Sequence, residues 1–343
     1  MTTADLGKTA QALVADGKGI LAADETVPTV TKRLAAAKID STPEIRRTYR
    51  EMLFTTPGIS DFIGGVIMQD ETIHQRDDNG TPLADLLSRR RIIPGIKVDN
   101  GVKPLAGSSS ERITEGLDGL RDRLCEYSKL GARFAKWRAV IDVGGMLPSV
   151  SCVHANAHAL ARYAGICQEQ GVVPIVEPEV LMNGSHTVER CEEVTGGVLH
   201  AVFDALFEQN VLLEGMLLKP NMIVSGASCT TQASAKEVAV ATLRCLRRHV
   251  PAAVPGIVFL SGGQDHVAAT VHLNGINQLE GPKPWKLSFS YGRALQDEAL
   301  KAWQGKAENL GAGQRAFYRR ARCDAAAALG RYSASMESES IAA

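Results

Sequence analysis

VVPIVEPE (172–179) and VLLEGMLLKP (211–220) are short apolar runs that close on charged side chains. Neither alternates polar with apolar positions, the pattern of strands in a parallel sheet covered on both faces. Working outward, the same kind of run recurs upstream as GILAAD (19–24), FIGGVIMQ (62–69), RIIPGIKVD (91–99) and ARFAKWR (132–138). Downstream it recurs as GIVFLSG (256–262) and KLSFSYG (286–292). Between the runs lie helix-like segments. One, at 148–171, has a serine cap candidate and a terminal glycine; those at 186–210 and 234–250 are similar in kind. Gly196 and Gly197 weaken the second in its middle, by about 1 kcal/mol each relative to alanine. Eight strand–helix units predict an α/β fold closed as a (β/α)8 TIM barrel, a single domain over residues 1–332. The rival, an open doubly wound sheet binding a dinucleotide, lacks its early G-x-G-x-x-G turn. Residues 333–343 (SASMESESIAA) are small, polar and acidic, and are expected to form a mobile tail.

The 343-residue chain carries 38 basic and 38 acidic side chains. That balance argues against a chain-wide preference for nucleic acid or anionic lipid, and leaves room for a local phosphate pocket. Its cysteines (Cys125, Cys152, Cys167, Cys191, Cys229, Cys245 and Cys323) form no C-x-x-C pair. Their odd number predicts reduced thiols and a cytoplasmic protein. The opening MTTADLGKTAQ has no basic patch before an apolar core, so no signal peptide is expected. No apolar run approaches the ~20 residues that cross a bilayer.

Charges fall where the runs end. Asp24 closes the first, Lys97 and Asp99 the third, Lys136 and Arg138 the fourth, Glu177 and Glu179 the fifth, and Lys219 the sixth. Residues two apart in a strand share a face, so each pair can point the same way. At the C-terminal mouth of a barrel they would meet in one cavity, where this architecture keeps its chemistry. The plainer alternative is ion pairing at strand ends. Lys219 is the sharpest case, because an apolar approach and neighbouring cations lower an ammonium pKa and free a nucleophilic amine. LSGGQ (260–264) and SYGRA (290–294) close the last two runs with turn glycines and Arg293, as a phosphate site would; tight turns beside a surface arginine are the alternative. His154 and His158 have i, i+4 spacing but nothing completes a metal site, so they are read as solvent-facing or loosely packed. Arg89–Arg91 reads as a solvated lead-in to the third strand, and Trp137 as facing the helix layer.

Seven motifs in order carry a family resemblance: GILAADE (19–25), GIKVD (95–99), FAKWR (134–138), IVEPE (175–179), LLKPNM (217–222), FLSGGQ (259–264) and SYGRALQ (290–296). Over residues 8–332 the chain resembles the class I, Schiff-base, fructose-1,6-bisphosphate aldolases. The resemblance implies a homotetramer acting on a phosphorylated sugar, with no metal and no organic cofactor. It implies that Lys219 is the Schiff-base lysine, Glu177 the acid/base, Glu179 a supporting carboxylate and Lys136 the neighbouring charge. It makes Asp24 the group facing the C4 hydroxyl and Arg138 a substrate contact. Lys97, Thr26, Thr29 and Lys32 fall on the C6-phosphate side; Ser261, Gly262, Gly263, Ser290, Gly292 and Arg293 fall on the C1-phosphate side. The enzymatic alternatives are a Schiff-base aldolase preferring fructose 1-phosphate or sedoheptulose 1,7-bisphosphate. The non-enzymatic one is a barrel that only binds.

Two stretches depart from the family's pattern. After LAADE the family commonly continues STGSIAKR, whereas this chain has TVPTVTKR (26–33). Val27–Pro28 is therefore expected to reshape the loop beside the distal phosphate and to change affinity there. The tail ends SIAA, with Tyr332 the last tyrosine, so it cannot offer the terminal tyrosine of many animal members.

Overall fold

The computed structural model describes residues 3–339, so the last four residues of the expected tail lie outside the described residues. The strands are β1 (Gly19–Ala22), β2 (Ile63–Met68), β3 (Ile93–Lys97) and β4 (Phe134–Ile141), then β5 (Val173–Val180), β6 (Leu217–Leu218), β7 (Gly256–Phe259) and β8 (Lys286–Tyr291). All pair in parallel with their sequence neighbours, and β1 pairs with β8 to close the barrel. The expected TIM barrel is the observed one.

The two faces of the strands sort two cores. Ile20, Phe134, Val173, Ile175, Leu217 and Val258 fill the barrel's interior together with Leu6, Leu13 and Val14 from the helix Thr3–Leu13 and its end. The lower barrel is therefore plugged with hydrocarbon, and only the C-terminal mouth is left for polar groups. Gly95 makes room for one plug residue, since a Cβ there would stand 2.3 Å from the Phe134 ring. The opposite faces of the strands meet the helices. Trp137 lies in that outer layer against Tyr163, with ring centroids 5.5 Å apart, as its place between Lys136 and Arg138 required.

The helix starts follow their caps. Ser149 accepts from the Cys152 amide, Thr187 from the Arg190 amide, and Ser234 builds a reciprocal capping box with Glu237. The glycine pair does not break its helix, which runs unbroken from Val188 to Glu208. Gly196 has a packing reason, because a Cβ there would approach His249 Nε2 to 2.7 Å.

Three expectations need correction. The sixth strand is only Leu217–Leu218, preceded by the 3-10 turn Leu213–Gly215. Gln168 takes the Leu212 amide and carbonyl, at 2.9 and 2.8 Å, that a longer strand would have paired. The third strand starts at Ile93, because Arg89 ends a helix and Arg91 has φ 61°. The segment from Val27 is a helix, Val27–Ala36, and not a loop; Pro28 sits in its first turn, where a missing N–H costs nothing.

Residues 334–337 form a 3-10 turn that has something to bury against. Both Glu337 carboxylate oxygens accept from the fully buried Arg320, at 2.8 and 2.9 Å, and Tyr332 donates to one of them at 2.8 Å. Beneath them the Thr270 hydroxyl donates to Asp324, whose other oxygen is buried without a partner. Burial pushes the Asp324 carboxyl up to about 7, against the pull of Arg320 and Thr270. The folded protein thus keeps a proton that the unfolded chain releases near pH 4, and stability is lost as pH rises through that interval. Asp324→Asn keeps the acceptor for Thr270 and removes the titration. Thermal unfolding at pH 7.5 should rise by about 5 °C, with little change at pH 4.

Among the described residues no helix is long and apolar enough to cross a membrane, and no group of three or more His, Cys, Asp or Glu could hold a metal ion. His154 and His158 are exposed on the helix Val150–Glu169.

Candidate active site

The charged groups that closed the runs converge at the mouth. Lys136 and Arg138 stand two apart on β4, and Glu177 and Glu179 two apart on β5, with Arg138 in register with Glu177. Lys97 on β3 is in register with Lys136. Lys219 follows β6 immediately, and its amide still donates to the Val176 carbonyl at 2.8 Å. Pro220 has no N–H to offer the next strand, though its carbonyl still accepts from the Leu260 amide at 3.1 Å. The nucleophile candidate is therefore fixed by sheet geometry up to its own Cα.

Two lysines share one carboxylate. Lys219 Nζ is 3.1 Å from Glu177 Oε1, while Lys136 Nζ is 2.9 Å from Glu177 Oε2. Lys136 approaches that oxygen off the line of a hydrogen bond, so the contact is one of charge. Lys136 donates properly to Asp24 Oδ2 at 2.9 Å. Arg138 donates to Glu179. Lys136, Glu177 and Lys219 are 4%, 3% and 3% exposed, which excludes ordinary solvated ion pairing at strand ends.

Their environments push the two ammonium groups in opposite directions. Burial lowers the pKa of Lys219, the Lys136 charge adds to this, and Glu177 and Asp24 oppose it without cancelling it. Lys136 is equally buried, yet Asp24 and Glu177 outweigh the burial and raise its pKa. Burial also works against the charged forms of Asp24 and Glu177, but the lysines hold both carboxyls below their usual range. The result is one lysine kept as a cation beside another biased toward the free amine. Such divergence within a single cavity is how acid, base and nucleophile roles are divided.

The cavity has a volume of about 270 Å³ and is lined by all five of the catalytic candidates and by Arg138. Its other wall is built for an anion. Ser261, Gly262 and Gly263 follow β7, with φ 57° and 89° at the two glycines; Ser290 lies near the end of β8 and Gly292 just after it. Gly292 caps the eleven-residue helix Arg293–Trp303, so the positive end of that helix adjoins the wall that Gly292 and Arg293 line. A side chain at Gly263 would be strained by its φ of 89°, although its Cβ would meet Arg293 Nη2 only at ordinary contact distance, 3.5 Å. The Ser290 hydroxyl is buried without a partner, a donor held in reserve for a ligand.

The distal group is less gathered. None of Lys97, Thr26, Thr29 and Lys32 lines this cavity. Lys97 donates to Asp99, Thr26 and Thr29 place their hydroxyls 3.0 Å apart at the start of their helix, and Lys32 is exposed on it. Leu181 and Asn183 also line the cavity and were missed. Their signal was available, since they continue the two-residue period of Glu177 and Glu179. A larger cavity, about 970 Å³, opens near Gly17, Trp285 and Lys286, and holds none of the converging charges.

The model of the family described as "Fructose-bisphosphate aldolase class-I" matches residues 5–343. The chain belongs to the class-I fructose-bisphosphate aldolases. It is 56% identical over 333 residues to a probable fructose-bisphosphate aldolase class 1 of Xanthomonas axonopodis pv. citri, covering 97% of this chain and 99% of that one. It is 53% identical over 328 residues to fructose-bisphosphate aldolase B of Bos taurus, covering 95% and 90%. The Plasmodium falciparum aldolase, solved in a ternary complex with TRAP and a small-molecule inhibitor, superposes with a TM-score of 0.95 at 49% identity, covering 96% and 95%. This aldolase is thus a lyase of a sugar phosphate, cleaving fructose 1,6-bisphosphate reversibly to dihydroxyacetone phosphate and glyceraldehyde 3-phosphate.

Proposed function

We propose that this cleavage runs through a Schiff base on Lys219. The observation that carries the reading is the opposed bias of two buried lysines around Glu177. The Lys219 amine adds to the C2 carbonyl of the open-chain sugar. Glu177, held ionised by Lys136 and Lys219 and 3.1 Å from Lys219 Nζ, moves the proton from nitrogen to the C2 oxygen. With one further proton through the same carboxyl, that oxygen leaves as water and an iminium remains. Asp24, kept ionised by Lys136, takes the C4 hydroxyl proton. The C3–C4 electron pair then flows into the iminium as an enamine, and glyceraldehyde 3-phosphate departs. Protonation at C3 and hydrolysis release dihydroxyacetone phosphate and restore the amine.

Lys136 stabilises the negative charge that passes between these carboxyls, and Glu179 holds Arg138 toward the substrate. The C1 phosphate takes the Gly262–Gly263 and Gly292 amides, the Ser261 and Ser290 hydroxyls, and Arg293. The C6 phosphate takes Lys97, with Thr26, Thr29 and Lys32 nearby. The family resemblance supports a homotetramer, and the cysteines, none of them in a disulfide, support the cytoplasm. A cytosolic aldolase of Arabidopsis thaliana, 52% identical over 316 residues, supports the same location. Borohydride added with dihydroxyacetone phosphate should reduce the iminium to a stable adduct, mapped by peptide mass to Lys219. A folded, active protein that gives no adduct there would overturn the assignment.

A further inference from the structure

Lys97 is already engaged. Its ammonium donates to Asp99 Oδ1 at 2.6 Å and to the Asp99 carbonyl at 2.8 Å. Asp99 is 8% exposed, and its Oδ2 is buried without a partner. The same Oδ1 accepts from the Gly101 amide at 3.0 Å, which fixes the carboxylate at the end of β3 independently of the lysine. Asp99 also acts on Lys136, and Lys97 on Asp24, so the pair lies within the field of the cavity.

We infer that Asp99 sets the preference for doubly phosphorylated substrate by competing with the distal phosphate for Lys97. This rests on the reading that Lys97 meets the C6 phosphate. A phosphate arriving there must draw Lys97 from a fixed, largely desolvated carboxylate. Part of the attraction between Lys97 and the phosphate is therefore offset by the lost pair. The same exchange run backward helps glyceraldehyde 3-phosphate leave, since Asp99 recaptures the lysine as the phosphate departs. A lysine with no counter-ion would grip substrate and this product alike. Asp99 acts through Lys97 and is a positioning residue; it touches no reacting atom.

The test compares kcat/KM for fructose 1,6-bisphosphate with that for fructose 1-phosphate in Asp99→Asn, Lys97→Met and the double variant. Asparagine still accepts from the Gly101 amide, so the end of β3 keeps its anchor. Asp99→Ser, too short to reach Lys97, provides a second variant should the first fold poorly. Asp99→Asn should raise the bisphosphate-to-monophosphate ratio about fivefold, mainly by lowering KM for the bisphosphate. Lys97→Met should collapse the ratio, and adding Asp99→Asn to it should change the ratio no further. An unchanged or lower ratio in Asp99→Asn, with the collapse still seen in Lys97→Met, overturns the role of Asp99 alone. A fivefold rise that persists without Lys97 overturns it too, because the carboxylate would then act on the phosphate directly. If Lys97→Met leaves the ratio intact, the distal phosphate lies elsewhere and the underlying reading falls.

Discussion

Replacing Lys219 by methionine will lower kcat for fructose 1,6-bisphosphate by about 10⁴-fold or more and leave the barrel intact. The two halves of that result have separate causes. Methionine matches the length of the lysine stem, and the stem packs where only 3% of the residue meets water. Removing the amine relieves the burial that lowers its pKa, and Glu177 keeps Lys136 at 2.9 Å as its counter-ion. No buried charge is orphaned, so unfolding should occur at or above the wild-type temperature. Chemistry fails because the iminium is the only electron sink the mechanism provides for the C3–C4 bond. Lysine variants elsewhere in the cavity would not separate the halves: Lys136→Met strands Asp24 and Glu177 together without their shared cation. Turnover within tenfold of wild type in folded Lys219→Met would mean that another group bonds to C2.

The barrel and its chemical end were legible because both rest on local rules. Charged residues spaced by two at the ends of apolar runs cannot sit in the plugged lower barrel, so Lys136, Arg138, Glu177 and Glu179 had to rise to the mouth. Trp137, offset by one, had to face the helices. Features that depend on distant partners were not legible. Nothing in VLLEGMLL reveals that Gln168 captures Leu212 from another helix and shortens the strand to Leu217–Leu218. The small, polar composition after Ser333 conceals one carboxylate, Glu337, that meets a fully buried arginine. Proline at position 28 had two meanings, a reshaped loop or a first helical turn, and only the following helix decides between them. The opposed behaviour of Lys136 and Lys219 turns on which carboxylates lie within about 3 Å of each, a distinction that exists only in space.

Glu177→Gln separates proton transfer from nucleophile charge. Glutamine retains the size of the side chain and an oxygen for the lysines, but it neither carries protons nor supplies negative charge. Proton transfer to the C2 oxygen is lost, and kcat should fall by about 10³-fold. The lysine itself should respond the other way. Glu177 is the main group raising the pKa of Lys219 against its burial, so removing that charge lets burial and Lys136 lower it further. More of the amine is then uncharged at a given pH, and the acidic limb of kcat/KM moves to lower pH even as the plateau drops. A structural defect would depress the plateau without this shift, and loss of an activating base would move the limb upward. An upward shift would mean that the carboxylate deprotonates Lys219 for attack, and that the bias set by burial and Lys136 is too weak to do so alone.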